Sequence, residues 1–279
     1  MAGGVAVVTA SGAAVGGALG ASTASAYLGT DKSFKIENLR DGTGPPVLLA
    51  SGFLTEGESA WGSWRELIDQ RYPDAPVYRV FWGSKELKAL GTLATVGAGK
   101  AAATKAVVSM ASHASRRAAG KVPYLGSLLV AKGMIANPWT VAKTRAAMTG
   151  AGLAALIAHT ETEQFVLAGH SLGALVMATA AQTLGTRDEQ PKLRTVHLLG
   201  AAVPSKGDWQ TLNDSVEEHV WNYRSERDWI LDALYKNAQM GKQAVGVVGF
   251  QSSFDKIGDV NVTRTVPSHS DYFTGVRLR

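Results

Sequence analysis

Short apolar runs of strand length alternate along this chain with longer stretches of helical periodicity. Residues 46–51 (PVLLAS) and 164–168 (QFVLA) are continuous apolar runs, as expected of strands buried on both faces of a sheet. Residues 33–39, 77–82 (VYRVFW), 195–200, 219–224 and 260–266 read as further strands, the first followed by the turn Asp41-Gly42-Thr43-Gly44. Between them, 61–70 reads as an amphipathic helix and 174–184 as a second helix. Residues 85–159 form a long Ala-rich helical stretch, broken near 120–123 and at Asn137-Pro138. Strands alternating with helices predict an α/β fold with a mostly parallel central sheet flanked by helices. No internal repeat is visible.

Composition sharpens this picture. The chain has 279 residues, 46% apolar and 18% charged, which marks it as globular rather than disordered. It has no cysteine, and so no disulfide, no thiolate metal site and no thiol nucleophile. The net charge of +5 is uneven. Between Leu87 and Thr160 there is no acidic residue but nine basic ones: Lys88, Lys100, Lys105, Arg116, Arg117, Lys121, Lys132, Lys143 and Arg145. The rest of the chain has 19 basic residues against 23 acidic, a net −4. A mildly acidic body with one basic segment excludes a uniformly basic nucleic-acid-binding surface.

Two segments stand apart from the body. Residues 1–30 precede the first charged residue, Asp31, and are built mostly of Ala, Gly, Ser and Thr. They admit three readings: an arm lying on the domain, a close-packing helix for a membrane or partner, or a signal peptide ending at Ala24-Ser25-Ala26. The expected organisation is therefore an N-terminal arm (1–30) and a domain (31–279) carrying a helical basic insert at about 85–160.

The candidate chemistry begins at Gly169-His170-Ser171-Leu172-Gly173, the G-x-S-x-G pattern of a nucleophile elbow. A sharp strand-to-helix turn pushes the serine hydroxyl into the open, and the crowding it causes calls for the flanking Gly169 and Gly173. In a chain with 31 glycines the bare pattern is cheap. The apolar run before it and the helical run after it supply the context that it needs.

Ser171 needs a base and an orienting acid, expected in the order serine, acid, histidine. His197, His219 and His269 follow it. His197 lies within an apolar run and reads as a buried structural histidine, and His219 sits at the start of a predicted strand. His269 follows the last strand, on a loop able to reach back over the sheet, and is the expected base. Asp228, at the carboxyl end of the 219–224 strand, is the expected acid, with Glu226 a near alternative. Asp208, Asp214 and Asp255 lie on other segments, and Asp271 is too close to His269 in sequence. The oxyanion hole is expected from the backbone N–H of Leu172 and of Phe53, with Leu54 the alternative second donor. No metal-ligand cluster, P-loop or dinucleotide fingerprint is present, so no metal or cofactor is expected.

The segments SGFLTEGESAWGSW, YRVFWGSKELKALG, VLAGHSLGA, WNYRSERDWIL and VPSHSDYF together resemble the transmembrane-and-coiled-coil-domain family of α/β-hydrolases. The resemblance covers roughly residues 33–279. It implies the α/β-hydrolase fold, with Ser171 as nucleophile, Asp228 as acid and His269 as base. The chain departs from the family at Gly83, where members often carry Glu, and its membrane helices are reduced to Ala/Gly-rich stretches.

The expected function is hydrolysis of carboxylic esters of lipids, by a lipase or phospholipase working through an acyl-enzyme. The basic insert is expected to hold an anionic membrane surface while its apolar residues, Trp139 among them, dip into the bilayer. Residues 125–135 are expected to form the contact or an acyl-tunnel wall. The protein would then be peripherally membrane-associated, with no nucleic-acid partner. By analogy with lipase toxins delivered to rival cells, an inhibitor or immunity protein would be a further partner. The alternatives are a soluble carboxylesterase or thioesterase, and a non-enzymatic membrane-inserting protein.

Overall fold

A computed structural model of the chain describes residues 34–52, 60–82, 138–186, 192–238 and 243–279. The N-terminal arm, Phe53 and Leu54, Gly83, residues 125–135 and most of the basic insert lie outside the described residues. Among the described residues seven strands form one sheet: β1 (Lys35–Arg40), β2 (Val47–Ala50), β3 (Val77–Phe81), β4 (Phe165–His170), β5 (Leu193–Leu199), β6 (Val216–Arg224) and β7 (Ile257–Asn261). Their order is β1-β3-β2-β4-β5-β6-β7. β1 runs antiparallel to β3, and every other pairing is parallel. A parallel sheet with one antiparallel edge strand, covered by helices on both faces, is the α/β-hydrolase fold.

The strand residues divide between two apolar layers with period two. Leu48 and Ala50 of β2 and Phe165 and Leu167 of β4 enter the larger layer. Val47, Leu49, Val166 and Ala168 enter the other. Because both faces are covered, β2 and β4 are buried along their whole length, which is why each reads as a continuous apolar run. β7 is an edge strand with a half-exposed pattern, and it ends at Asn261 rather than running to 266. After Asn261 the chain turns, Thr265 and Val266 donating their N–H groups to the carbonyl of Val262. A one-sided edge strand carries too little hydrophobic signal to mark its own ends.

The larger layer is covered by α2 (Pro138–Ala158) and α3 (Leu172–Leu184). Pro138 opens α2 at the first helical position, where its missing N–H costs nothing. Trp139, Ala142, Ala146, Leu153 and Ile157 form its buried stripe. A methyl group added at Gly150 would sit 2.4 Å from the carbonyl oxygen of Val176, so this glycine sets how closely α2 and α3 cross. The expected membrane contact of Trp139 is therefore corrected. Its ring is buried and packs edge-on against Tyr235, with centroids 6.0 Å apart. Small and apolar residues spaced for a helix–helix contact carry the same composition as a membrane-seeking helix, and here they face the core. On the opposite face, α1 (Arg65–Arg71) packs with Tyr272 and Phe273 of the short helix Tyr272–Gly275.

His197 is fully buried in β5 between two phenols, its Nε2 2.7 Å from the hydroxyl of Tyr72 and its Nδ1 3.2 Å from that of Tyr223. Burial first, and then the nearby Arg71, push its pKa down to about 3. The unfolded chain takes up a proton near pH 6.5 that the folded chain refuses. This contribution to stability is complete above about pH 6.5 and is lost as the pH falls from there toward 3, with a slope on the order of 1 kcal/mol per pH unit. Denaturant melts between pH 7.5 and 4 should show that loss, and His197→Gln should flatten the dependence while lowering stability at neutral pH.

Candidate active site

Ser171 is the single residue between the end of β4 and the start of α3. It takes φ 58°, ψ −121°, a left-handed conformation that side-chain-bearing residues rarely adopt. Hydrogen bonds hold it there. Its N–H donates to the carbonyl of Leu199 (3.0 Å), and its carbonyl accepts from the N–H groups of Ala174 and Ala202 (both 3.1 Å). The flanking glycines answer to close approach. A Cβ at Gly169 would fall 2.5 Å from the carbonyl oxygen of Gly173, and one at Gly173 would fall 2.1 Å from that of Ala50. At Gly52 it would meet Cβ of Ser171 at 2.6 Å, a constraint that the bare sequence pattern does not display.

Three side chains from distant segments meet here. Nε2 of His269 lies 2.9 Å from Oγ of Ser171, and Nδ1 of the same ring lies 2.7 Å from Oδ2 of Asp228. A carboxylate opposite Nδ1 places the proton on that nitrogen, leaving the Nε2 lone pair to accept from the serine hydroxyl. All three residues are buried. Asp228 ends the turn after β6 and begins α4 (Trp229–Ala238), where its Oδ1 accepts the N–H of Leu231 at 3.0 Å. The turn before it is pinned to the segment that carries His269. Oγ of Ser225 donates to the carbonyl of Val266 (2.6 Å), and the N–H of Glu226 donates to Oγ1 of Thr263 (3.0 Å).

The other candidates fall away from this group. Glu226 is exposed and paired with Arg224 at 3.0 Å. Asp271 accepts from the hydroxyl of Ser268. Asp208 and Asp214 bond to Gln210, and His219 is exposed and stacked on Trp221. Leu172 is the first residue of α3, so its N–H belongs to the first turn, which has no intrahelical acceptor. Phe53, expected to supply the second donor, lies outside the described residues. The strand end leading toward it is firmly held: Nε1 of Trp64 donates to Oγ of Ser51 (3.0 Å) and Nε1 of Trp82 to its carbonyl (3.1 Å).

Two neighbours were not anticipated from the sequence. The Tyr272 hydroxyl lies 3.2 Å from Oδ2 of Asp228 and 3.3 Å from the carbonyl of Gly246. Burial, reinforced by the negative charge of Asp228, raises its pKa far above that of a free phenol, so it remains a donor. His170 is buried against His269, Tyr272 and Phe273, with centroids 4.8, 5.6 and 4.9 Å away. The signals available were a titratable residue ending an apolar strand and a tyrosine three positions past His269. Among the described residues no group of three or more His, Cys, Asp or Glu is placed to hold a metal ion. A cleft of about 190 Å³ lined by Arg71, Tyr72, Arg194 and Glu218 opens at the other end of the strands and takes no part in this site.

The chain belongs to the family described as protein of unknown function (DUF726), whose model matches residues 1–277. It is similar to the probable lipase MIL1 of Saccharomyces cerevisiae, 25% identical over 281 residues, covering 97% of this chain and 25% of that protein. It is also similar to an uncharacterized membrane protein of Caenorhabditis elegans, 28% identical over 256 residues, covering 88% of this chain and 41% of that one. The chain thus spans between a quarter and about two-fifths of the length of these curated relatives. Among solved structures, a serine hydrolase involved in carbazole degradation aligns over 85% of this chain and 86% of its own, at 13% identity and a TM-score of 0.40.

The tight contact at the elbow has a measurable consequence. Gly173→Ala should destabilise the fold by several kcal/mol, roughly the overpacking range or above it, because the new methyl meets backbone on the neighbouring strand. Gly44→Ala has open space around it and φ +97°, and should cost only about 1 kcal/mol of backbone strain. Chemical denaturation of the two variants distinguishes a packing cost from a conformational one.

Proposed function

We propose that this chain is a serine hydrolase that cleaves carboxylic esters of lipids. The observation that carries the reading is the buried hydrogen-bonded series Ser171–His269–Asp228, with the serine on a strained strand-to-helix turn. In this reading Oγ of Ser171 attacks the ester carbonyl carbon while Nε2 of His269 takes its proton. The oxyanion that forms is met by the N–H of Leu172 at the head of α3, where the helix dipole favours negative charge. The imidazolium is stabilised by Asp228 and returns the proton to the leaving alcohol, giving an acyl-serine. A water molecule, deprotonated by the same imidazole, then releases the fatty acid and restores the hydroxyl.

The lipid part of the proposal is supported by the similarity to a protein named a probable lipase and by the acid-free basic segment between Leu87 and Thr160. One relative is described as a membrane protein. Among the described residues no helix is long and apolar enough to cross a membrane. The association we propose is peripheral, through the basic segment. Phospholipid as the substrate, an anionic membrane surface as the partner and delivery as a toxin with an inhibitor protein are finer forms of the same proposal.

Mass spectrometry of a lipid mixture incubated with the wild type and with Ser171→Ala tests it. Free fatty acids should appear with the wild type alone, and a fluorophosphonate probe should label Ser171. Asp228→Asn should lower turnover by about 10³–10⁴-fold, because it no longer fixes the imidazole tautomer. Tyr272→Phe should lower it by about tenfold through loss of one hydrogen bond to the carboxylate. Lipid products undiminished in Ser171→Ala would refute the proposal. Cleavage confined to short soluble esters would retain the serine chemistry and remove the lipid substrate.

A further inference from the structure

His170 performs no step in the mechanism above, yet its ring is fully buried beside the reacting groups. It ends β4, directly before Ser171, and its Nε2 lies 2.9 Å from the backbone carbonyl oxygen of His269, ninety-nine residues further on. A carbonyl can only accept, so Nε2 carries the proton and Nδ1 is left with its lone pair. That lone pair has no hydrogen-bond partner among the described residues. A buried acceptor without a partner is a cost that an apolar side chain of similar size would avoid, and it calls for an explanation.

We infer that His170 is a positioning residue, whose Nε2–H holds the main chain of His269 so that the imidazole stands within reach of Ser171. The inference rests on the serine-hydrolase reading of the site. Three contacts close a small loop between the strand bearing the nucleophile and the segment bearing the base. They are the peptide bond from His170 to Ser171, the bond from His170 to the His269 backbone, and the bond from the His269 ring to Oγ of Ser171. The side chain of His269 is aimed by Asp228, and its segment is tied upstream at Thr263 and Val266, but none of these contacts acts on the His269 carbonyl. The bond from His170 holds the main chain at that residue, and the rings of Tyr272 and Phe273 fix the His170 ring in turn.

Charge enters the same account. His269 becomes an imidazolium during acylation, and the His170 ring is 4.8 Å from it. Burial, followed by the positive charge that His269 can carry, holds the His170 pKa well below its usual value, so the neighbour stays neutral while the base is charged. A cation at position 170 would oppose that step, and a neutral donor does not.

The test is a pair of variants of similar length. His170→Gln keeps an N–H donor near the Nε2 position, and His170→Met removes it while suiting the apolar surroundings. Positioning predicts that the Met variant loses about ten- to a hundredfold in kcat and in the rate of fluorophosphonate labelling, with KM little changed, and that Gln recovers most of both. A packing role predicts the reverse order, with Met tolerated and Gln impaired, and that result would overturn the inference. If the Met variant does not fold, ¹⁵N resonances of the wild-type His170 ring still decide the matter. The inference requires a neutral ring protonated at Nε2 at pH 7, and protonation at Nδ1 or at both nitrogens overturns it. Failure of the underlying reading looks different, because the wild type itself would then not be labelled at Ser171.

Discussion

The backbone reversal at Ser171 is the constraint around which the rest of this protein is organised. Holding a serine in a left-handed conformation costs about 1–3 kcal/mol, and the surrounding structure has to over-determine it. The determining groups come from both neighbours of β4. The carbonyl of Leu199 at the end of β5 takes the N–H of Ser171, and Ala202 beyond it donates to the Ser171 carbonyl. On the other side, Ala50 and Gly52 at the end of β2 approach the first turn of α3 so closely that Gly173 and Gly52 can carry no side chain without displacing backbone or the serine itself. A central position for β4, between β2 and β5, is thus a requirement of the elbow as well as a feature of the sheet.

The same geometry fixes where the partners of the serine come from. In a parallel sheet the carboxyl ends of the strands share one edge, and the segments after β6 and β7 deliver Asp228 and His269 to it. The carboxylate that results is buried, and a buried charge survives only if its oxygens are satisfied. Asp228 receives the Nδ1–H of His269, the hydroxyl of Tyr272 and the N–H of Leu231 in the first turn of α4, where the helix dipole also favours a negative charge. Glu226, two residues earlier, has the same charge and a similar place in the sequence, but it lies in water against Arg224. Position relative to the end of the strand, rather than residue type, separates the two.

What the sequence made legible follows from how strongly each feature is constrained locally. Strands covered on both faces must be apolar throughout, so β2 and β4 could be read directly. The turn at Ser171 has to spell out its glycines in a fixed frame, and the order in which Asp228 and His269 reach Ser171 follows from strand succession. Features that depend on contacts between distant segments could not be read in this way. Gly52 matters because Ser171 lies against it, and Tyr272 because Asp228 does, and neither proximity is written in the spacing. Trp139 is the clearest failure. A tryptophan in an Ala-rich, acid-free helix fits a membrane surface or a protein core equally well by composition, and the partner that decides between them, Tyr235, lies almost a hundred residues away.

Three buried histidines among the described residues show that burial alone does not define a role. His197, His170 and His269 are all shut away from solvent, and each would have been an equally plausible catalytic group on that ground. The ring nitrogens of His197 both face phenols, so the neutral ring is satisfied, and the nearby Arg71 opposes a proton added to it. One nitrogen of His170 faces a carbonyl and the other has no hydrogen-bond partner among the described residues, which fixes a neutral tautomer and makes the ring a donor. His269 lies between a carboxylate and a hydroxyl. Its ring can take the proton of the hydroxyl because the charge it would then carry is already answered on the far side. The partners on the two nitrogens, more than the depth of burial, set the three residues apart: a ring held between two phenols, a ring that donates to a backbone carbonyl, and the ring that we propose as the base.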